Sequence, residues 1–209
     1  MKIKLKDFIL SILAGISISL GCLIYLLSSN VVIGAMFFTV GLFLVLTRGY
    51  NLFTGKVAYL TDNNYKYSIG LILMWIGNLI GTLIVSIFTR FSSLYPKIIE
   101  KAETIIKAKT SQTFLSAFLL AFLCGIIIFL AVENFKNNKH EIGKYTGLFV
   151  LIPLFIICGF EHCVADMYYF SLTNDLIKEK IIFLIIITVG NSIGSVVSNE
   201  IMKFKNKGE

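Results

Sequence analysis

The chain has 209 residues, of which 56% are hydrophobic and 15% are charged, and its formal net charge is +7. Soluble domains carry about 25% charged residues, so this composition excludes a soluble enzyme fold and indicates a protein of the lipid bilayer. The positive charges are spread over the connections and the C-terminal tail without interleaved aromatic residues, which argues against nucleic acid as a partner.

Four runs without charged residues are long enough to cross a bilayer. They cover residues 8–47, 67–89, 110–132 and 181–199, with lengths of 40, 23, 23 and 19 residues. A spanning helix needs about 20 residues, so the chain has room for about six helices and for no separate soluble domain. We therefore expect residues 1–209 to form a single transmembrane domain in contact with membrane lipid.

The first run is long enough for two helices. The polar cluster 28–30 predicts the turn between them, which places helix 1 at about 7–28 and the start of helix 2 near Val31. Helix 2 would continue past Arg48, where small and polar residues predict an interruption. These residues are Gly49, Asn51, Thr54 and Gly55.

The later runs predict four more helices. Helix 3 is expected over about 67–90, helix 4 over about 111–135 and helix 6 over about 180–202. Helix 5 is expected between 143 and 174, a length of about 48 Å at 1.5 Å per residue. Its middle contains the charged stretch 161–166, so we predict that helix 5 is also interrupted.

The distribution of lysine and arginine predicts an orientation. With six helices, both termini and the connections 61–66 and 136–144 share one side, which we expect to be the cytoplasmic side of the inner membrane. The connection after helix 3 places five basic residues on the other side: Arg90, Lys97, Lys101, Lys107 and Lys109. Its apolar residues recur at helical spacing over 98–106, so we expect a helix on the membrane surface with its lysines in water.

A repeated motif relates the two halves of the sequence. It is a glycine–asparagine pair, present as Gly77-Asn78 and as Gly190-Asn191, at an offset of 113 residues. The same offset takes Arg48, in the interruption of helix 2, to Glu161, in that of helix 5. Because each half has three helices, the second half enters the membrane from the opposite side. We therefore predict an all-α polytopic membrane protein of two inverted three-helix repeats with helices 2 and 5 interrupted, a plan that resembles that of aquaporins.

Two interrupted helices have a chemical consequence. Unpaired backbone groups inside a bilayer are tolerated only where they are buried in protein or line a water-containing cavity. The N-termini of half-helices carry partial positive charge, so the expected ligand is a small anion or a polar neutral molecule. Two breaks that meet at the midplane therefore predict a pathway across the membrane.

Residues 159–167, GFEHCVADM, resemble the G-F-E-H-S-V-A-N-M signature of helix 5 in the formate/nitrite transporter family. Residues 51–55, both glycine–asparagine pairs and Gly143-Lys144 also resemble elements of that family. The resemblance implies a homopentamer with one pore per protomer and conduction of small monovalent anions. No cofactor is expected. Cys163 and Asp166 depart from the usual Ser and Asn and resemble the hydrosulfide-channel branch, which favours hydrosulfide, with formate and nitrite next.

Two intramembrane residues are candidates for contact with the ion. His162 is either a structural hydrogen-bonding group or, as the resemblance implies, a pore residue that donates a hydrogen bond or a proton to an anion. Thr54 is expected to hydrogen-bond His162 or the ion. Lys144 either extends to the membrane interface or raises the anion concentration at the cytoplasmic mouth.

The remaining candidates form constrictions or support the breaks. The resemblance places apolar constrictions at Phe38, Leu42, Leu52, Phe53 and Phe155. The expected structural residues at the breaks are Asn51, Gly77, Asn78, Glu161, Asp166, Gly190 and Asn191. Glu161 is expected to accept hydrogen bonds from backbone N–H groups or to pair with Arg48 or Lys144.

Other chemistries remain open at this stage. His162 and Asp166 are one helical turn apart, but two ligands do not make a metal site, so no metal is expected. An aquaporin-like channel for neutral solutes is a second possibility, although paired Asn-Pro-Ala motifs are absent. A third is an intramembrane enzyme that uses Glu161, His162 and Asp166. Permeation is expected to be passive, or linked to protons through His162.

Overall fold

The computed structural model describes residues 5–206. In chain order it contains α1 (Leu5–Leu27), α2 (Val31–Arg48), a 3₁₀ helix (Val57–Asp62), α3 (Tyr65–Arg90), α4 (Tyr95–Ser111), α5 (Phe114–Asn137), α6 (Glu141–Ile157), α7 (Cys163–Ser171) and α8 (Ile177–Asn206). Within the described range, α1, α2, α3, α5 and α8 are each long and apolar enough to cross a membrane. The predicted all-α membrane fold is confirmed.

Both predicted interruptions are present. Residues 49–56 separate α2 from the 3₁₀ helix, and residues 158–162 separate α6 from α7. With 17 and 9 residues, α6 and α7 are each shorter than a spanning helix. Together these two half-helices correspond to the predicted helix 5. The charged stretch 161–166 lies only partly in the break, because α7 already begins at Cys163.

Side-chain caps set the start of two helices. The Asn30 side chain accepts a hydrogen bond from the Ile33 N–H group, so α2 begins at residue 31, as predicted. The Thr113 hydroxyl accepts one from the Ser116 N–H group, so α5 begins at residue 114 rather than at 111. Such caps stabilise N–H groups that have no partner within the helix.

Glycine allows the long helices of each half to pack closely. A methyl group at Gly77 of α3 would lie 2.6 Å from the Ser11 Cβ atom of α1, and one at Gly190 of α8 would lie 2.6 Å from the Ala121 Cβ atom of α5. Real Cβ atoms do not approach so closely. The two glycines therefore occupy equivalent positions in two similar helix pairs.

Several connections lie together at one end of the helix bundle. The Asn51 side chain donates a hydrogen bond to the Asp7 carbonyl oxygen near the start of α1, and Lys203 near the end of α8 pairs with Asp62. Lys136 donates a hydrogen bond to the Tyr59 hydroxyl over 2.7 Å. The connections that were expected to share one side therefore do so, while residues 1–4 and 207–209 lie outside the described residues.

The helix after α3 differs in one respect from its prediction. As expected, α4 is amphipathic, and its apolar face buries Ile98, Ala102 and Ile106. Its lysines, however, are not all in water. The Lys101 ammonium donates hydrogen bonds to two carbonyl oxygens at the C-terminal end of α1, because those carbonyls have no partner within the helix. Lys109 is also held by the protein, as described below.

Candidate functional site

The two breaks have the same backbone geometry. Gly49 and Gly159 adopt left-handed conformations, with φ of 67° and 68°. In each case the next residue donates a hydrogen bond back to the end of the helix, from Tyr50 N to Val45 O and from Phe160 N to Phe155 O. This is the Schellman pattern that ends a helix, and left-handed φ favours glycine. Both helices therefore stop at a glycine, and the two glycines are 110 residues apart.

Asn78 and Asn191 each hold one break in place. The Asn78 amide donates to the Asn51 carbonyl oxygen over 2.9 Å and accepts from the Phe53 N–H group over 2.9 Å. The Asn191 amide donates to the Glu161 carbonyl oxygen over 2.7 Å and accepts from the Cys163 N–H group over 2.8 Å. Both amides are fully buried, and each forms hydrogen bonds with one C=O and one N–H group of the backbone at a break, where helical hydrogen bonds are absent.

These contacts correct the offset between the breaks. The sequence repeat aligned Arg48 with Glu161, but Asn51 and Glu161 offer their carbonyl oxygens to equivalent asparagines. The offset is therefore 110 residues at the breaks and 113 at the asparagines. Arg48 is an exposed residue at the end of α2 and has no equivalent role.

His162 and Thr54 bring the two breaks into contact. The His162 Nε2 atom lies 2.9 Å from the Thr54 hydroxyl, and both side chains are buried. The Nδ1 atom accepts a hydrogen bond from the Ala165 N–H group at the start of α7. A neutral ring therefore carries its proton on Nε2 and donates it to Thr54. The hydroxyl hydrogen of Thr54 has no acceptor among the described residues and remains available.

Apolar side chains surround this contact. The Phe38 and Phe155 rings meet edge to face with centroids 5.6 Å apart, and the Phe155 ring lies 5.9 Å from the His162 ring. Leu42 and Leu52 are also buried. The Phe53 side chain is buried as well. The polar contact of this residue is made by its backbone N–H group, which donates a hydrogen bond to the Asn78 side chain.

Two cavities approach the apolar group from opposite ends. One, of about 320 Å³, is lined by Leu42 and Leu52 and by Lys144. The other, of about 280 Å³, is lined by Phe155 and His162. The buried apolar residues and the Thr54–His162 contact therefore lie between two cavities that each contain charged side chains.

Lys144 lies with two other lysines. Lys56 and Lys136 line the same cavity of about 320 Å³, and the Lys144 residue is partly buried there. Neither Lys56 nor Lys136 was predicted from the sequence to be a site residue. In the sequence, Lys56 lies at the end of the first break and Lys136 lies just before the loop that leads to α6, and these positions could have identified them.

A buried charge cluster lines the other cavity. The Lys109 ammonium of α4 forms ion pairs with Glu161 and, over 2.8 Å, with Asp166. The Gln112 amide donates to the second Glu161 oxygen over 2.7 Å. The expectation that the Glu161 side chain pairs with Arg48 or Lys144 is wrong, because α4 folds over the break and supplies both partners.

Lys109 and Gln112 are therefore site residues that were not predicted from the sequence. Lys109 follows the buried residues Ile98, Ala102 and Ile106 at helical spacing, which places it on the same face of α4. That spacing is the sequence signal that could have found it. Among residues 5–206, no group of three His, Cys, Asp or Glu side chains could hold a metal ion.

Comparison with known proteins gives a consistent result. The sequence profile of the family described as "Formate/nitrite transporter" matches residues 3–204. A protein named nitrite transporter NirC from Escherichia coli K12 is 28% identical, over 78% of this chain and 66% of its own length. Formate channel FocB from the same strain is 26% identical, over 79% of this chain and 65% of its own length. The chain thus spans slightly less than two thirds of each relative.

Solved structures share the fold. A structure described as a pentameric formate channel with formate bound superposes with a TM-score of 0.81 and 22% sequence identity. The similarity covers 98% of this chain and 97% of that chain. The fold is therefore common to both proteins along nearly their full length.

Proposed function

The chain belongs to the formate/nitrite transporter family, and from this premise we propose that it is a membrane channel, not an enzyme, for the small monovalent anions of weak acids. Hydrosulfide is the favoured ion, and formate and nitrite come next. Residues 1–209 act as one transmembrane channel domain. The pore runs through each protomer, between the cavity at Lys144 and the cavity at His162.

The Thr54–His162 hydrogen bond is the observation that carries this proposal. It provides polar hydrogens at an apolar constriction between two cavities that each contain charged side chains. An apolar neck excludes hydrated ions because dehydration is costly. A small monovalent anion that accepts a hydrogen bond there, or that becomes neutral by protonation, crosses at a lower cost. A divalent anion such as sulfate does not.

Hydrosulfide is favoured by size and by sequence. It has a single heavy atom, which suits a neck built from Phe38, Leu42 and Phe155. Cys163 and Asp166 are the two departures that resemble the hydrosulfide-channel branch. The related proteins named for formate and nitrite keep those two ions as the second candidates.

The assembly and location follow the same family. We place five protomers around a central axis, as in the similar channel described as pentameric. Apolar side chains such as Ile72, Phe88 and Ile185 are exposed on the outer face of the single chain and suit contact with lipid or with a neighbouring protomer. The protein resides in the cell inner membrane with both termini in the cytoplasm.

Purified protein in liposomes tests the function directly. Uptake of hydrosulfide, formate, nitrite, acetate, chloride and sulfate is compared with that of protein-free liposomes, at alkaline pH so that little hydrogen sulfide crosses the lipid. We expect protein-dependent uptake of the first three and none of sulfate. Water flux without ion flux would favour a neutral-solute channel, and turnover without flux would favour an intramembrane enzyme.

Shortening a side chain in the neck is expected to relax selectivity. Leu42→Ala or Phe155→Ala widens the path, so acetate permeability should rise relative to that of formate. Phe149→Ala is the matched control, because Phe149 is on α6 with Phe155 but is partly exposed on the outer face. The permeability of acetate relative to that of formate is measured in liposomes. If this ratio is unchanged in both neck variants, the constriction does not lie at Leu42 and Phe155.

Lys144 is expected to act through its charge. A charge that concentrates anions at the mouth is screened over about 8 Å at physiological ionic strength, so Lys144→Gln should lower flux at low salt and less so at high salt. Lys144→Arg should retain most of the flux. Flux is measured at both concentrations of an impermeant salt with the substrate held constant. Equal flux for all three proteins would mean that Lys144 only extends to the interface.

A further inference from the structure

The cluster beside His162 contains more negative than positive charge. Lys109 supplies one ammonium, while Glu161 and Asp166 supply two carboxylates, and the three side chains are only 14%, 3% and 1% exposed. With both acids ionised, the cluster would carry one net negative charge. That charge would be buried and would line a cavity through which an anion has to pass.

The two carboxylates are not equally satisfied. Both oxygens of Glu161 have donors, one from Lys109 and the other from Gln112. Asp166 has an ion pair to Lys109 from Oδ1, while its Oδ2 atom is buried and has no donor among the described residues. A buried oxygen without a donor is costly, and most costly when it carries charge. Oδ2 of Asp166 is therefore the place where an added proton relieves the imbalance.

One effect opposes this assignment. Asp166 lies in the first turn of α7, where the helix dipole favours the ionised form. The dipole effect is smaller than the cost of burying an uncompensated charge. Two acids that share one cation in a buried site also do not both ionise readily, so one of them retains a proton.

Within the described residues 5–206, no cation other than Lys109 lines the cavity at Asp166. The titratable groups that lie in the same cavity or close to Asp166 are Cys22 and Tyr25 of α1, Lys109 of α4, Cys124 of α5, Glu161 and His162 of the break, and Cys163 and Tyr169 of α7. Thiols and phenols are neutral at pH 7. Thr89 of α3 hydrogen-bonds the Tyr168 hydroxyl and Asn191 of α8 accepts from the Cys163 N–H group, and both of these side chains are also neutral.

We propose that the Oδ2 atom of Asp166 is a proton-binding site that donates a proton to the permeating anion in the cavity beside His162. This inference rests on the proposed function and adds a proton donor to it. In the transfer step, the Oδ2–H bond of Asp166 breaks and an H–A bond forms on the anion A⁻. The neutral acid HA crosses the neck, and the Asp166 carboxylate takes up a new proton from water in the cavity. One proton therefore travels with each anion.

The test compares three carboxylate variants with the unmodified protein in liposomes. Asp166→Asn removes the acid but keeps a neutral Lys109–Glu161 pair, and Asn is the usual residue at this place in the resembling signature. Asp166→Glu keeps an acid. Asp175→Asn is the matched control, because hydrogen bonding from Thr173 and the Lys180 ammonium lower the pKa of Asp175, which is therefore ionised at neutral pH.

The readouts are formate uptake, internal pH and the response to an imposed membrane potential. For the unmodified protein and for Asp175→Asn, we expect one proton per formate and uptake that does not depend on potential. For Asp166→Asn, we expect uptake to fall about tenfold or more, and the remainder to slow when the interior is negative, because the bare anion then carries the flux. Asp166→Glu should restore the electroneutral uptake.

Two results would overturn the proposal. One is that Asp166→Asn takes up formate with the same proton ratio and the same insensitivity to potential as the unmodified protein. The other does not depend on any variant: at neutral pH, the infrared spectrum of the unmodified protein lacks the carbonyl band of a buried protonated carboxyl group. The absence of any uptake of formate, nitrite and hydrosulfide by the unmodified protein would instead overturn the proposed function.

Discussion

Replacing His162 with phenylalanine is expected to reduce anion flux by about 10- to 100-fold. The His162 Nε2–H group and the Thr54 hydroxyl are the polar donors in a neck whose other side chains are apolar, and a hydrogen bond to a charged group contributes about 1.5–3 kcal/mol. Phenylalanine removes the Nε2–H donor while it keeps a planar ring of similar size. The rate of uptake into liposomes, normalised to the amount of protein incorporated, measures the effect.

Two further variants distinguish an effect on permeation from an effect on stability. His162→Phe also removes the cap on the Ala165 N–H group, which costs about 1 kcal/mol of stability. His162→Asn keeps an acceptor for that group but does not extend as far toward Thr54, so it should lose flux and keep stability. His140 is the only other histidine in the chain, and it is exposed before α6. His140→Phe should change neither property, and normal flux in His162→Asn would reject a pore role for the Nε2–H group.

Much of the fold could be predicted because the bilayer imposes strong rules on composition. Charge-free runs identified the long helices, and the polar residues between Gly49 and Gly55 identified a break, since such residues are unfavourable in a continuous membrane helix. The start of α5 was missed by three residues. The Thr113 cap decides that position, and several polar residues nearby could have served equally well.

The partners of Glu161 could not be predicted in the same way. Periodicity shows that α4 has an apolar face, but it does not show which part of the protein that face covers. The expectation of lysines in water followed from the usual position of such helices on a membrane. In this chain α4 packs over the second break, and Lys109 reaches a carboxylate 52 residues away in sequence.

The equivalence of the breaks separates what the backbone needs from what permeation needs. Under the offset of 110 residues, Leu52 corresponds to His162 and Thr54 corresponds to Val164. The glycine ends and the asparagine supports are alike in the two halves. The side chains at the contact differ, because each half contributes one polar group to the pair that meets there. A sequence repeat can therefore reveal the framework, while the polar pair becomes apparent only when the two halves are brought together.

Lys109→Met is expected to destabilise the protein by about 3–5 kcal/mol, because removal of one partner leaves a buried carboxylate uncompensated. Methionine keeps a similar volume and an unbranched chain, so the loss reports the charge more than the packing. The thermal unfolding temperature in detergent and the amount of pentamer measure the effect. Lys107→Met is the matched control on α4, since Lys107 is exposed and no ion pair involves it among the described residues.

A second substitution tests whether the charge is the cause. Glu161→Gln removes the negative charge and keeps the side-chain oxygen that accepts the Gln112 hydrogen bond. Combined with Lys109→Met, it should restore a substantial part of the lost stability, because replacing both members of a buried ion pair costs less than removing one. Adding Glu161→Gln to Lys107→Met should bring no such recovery. If Lys109→Met and its double variant unfold at the same temperature, the Lys109–Glu161 pair does not hold α4 over the break.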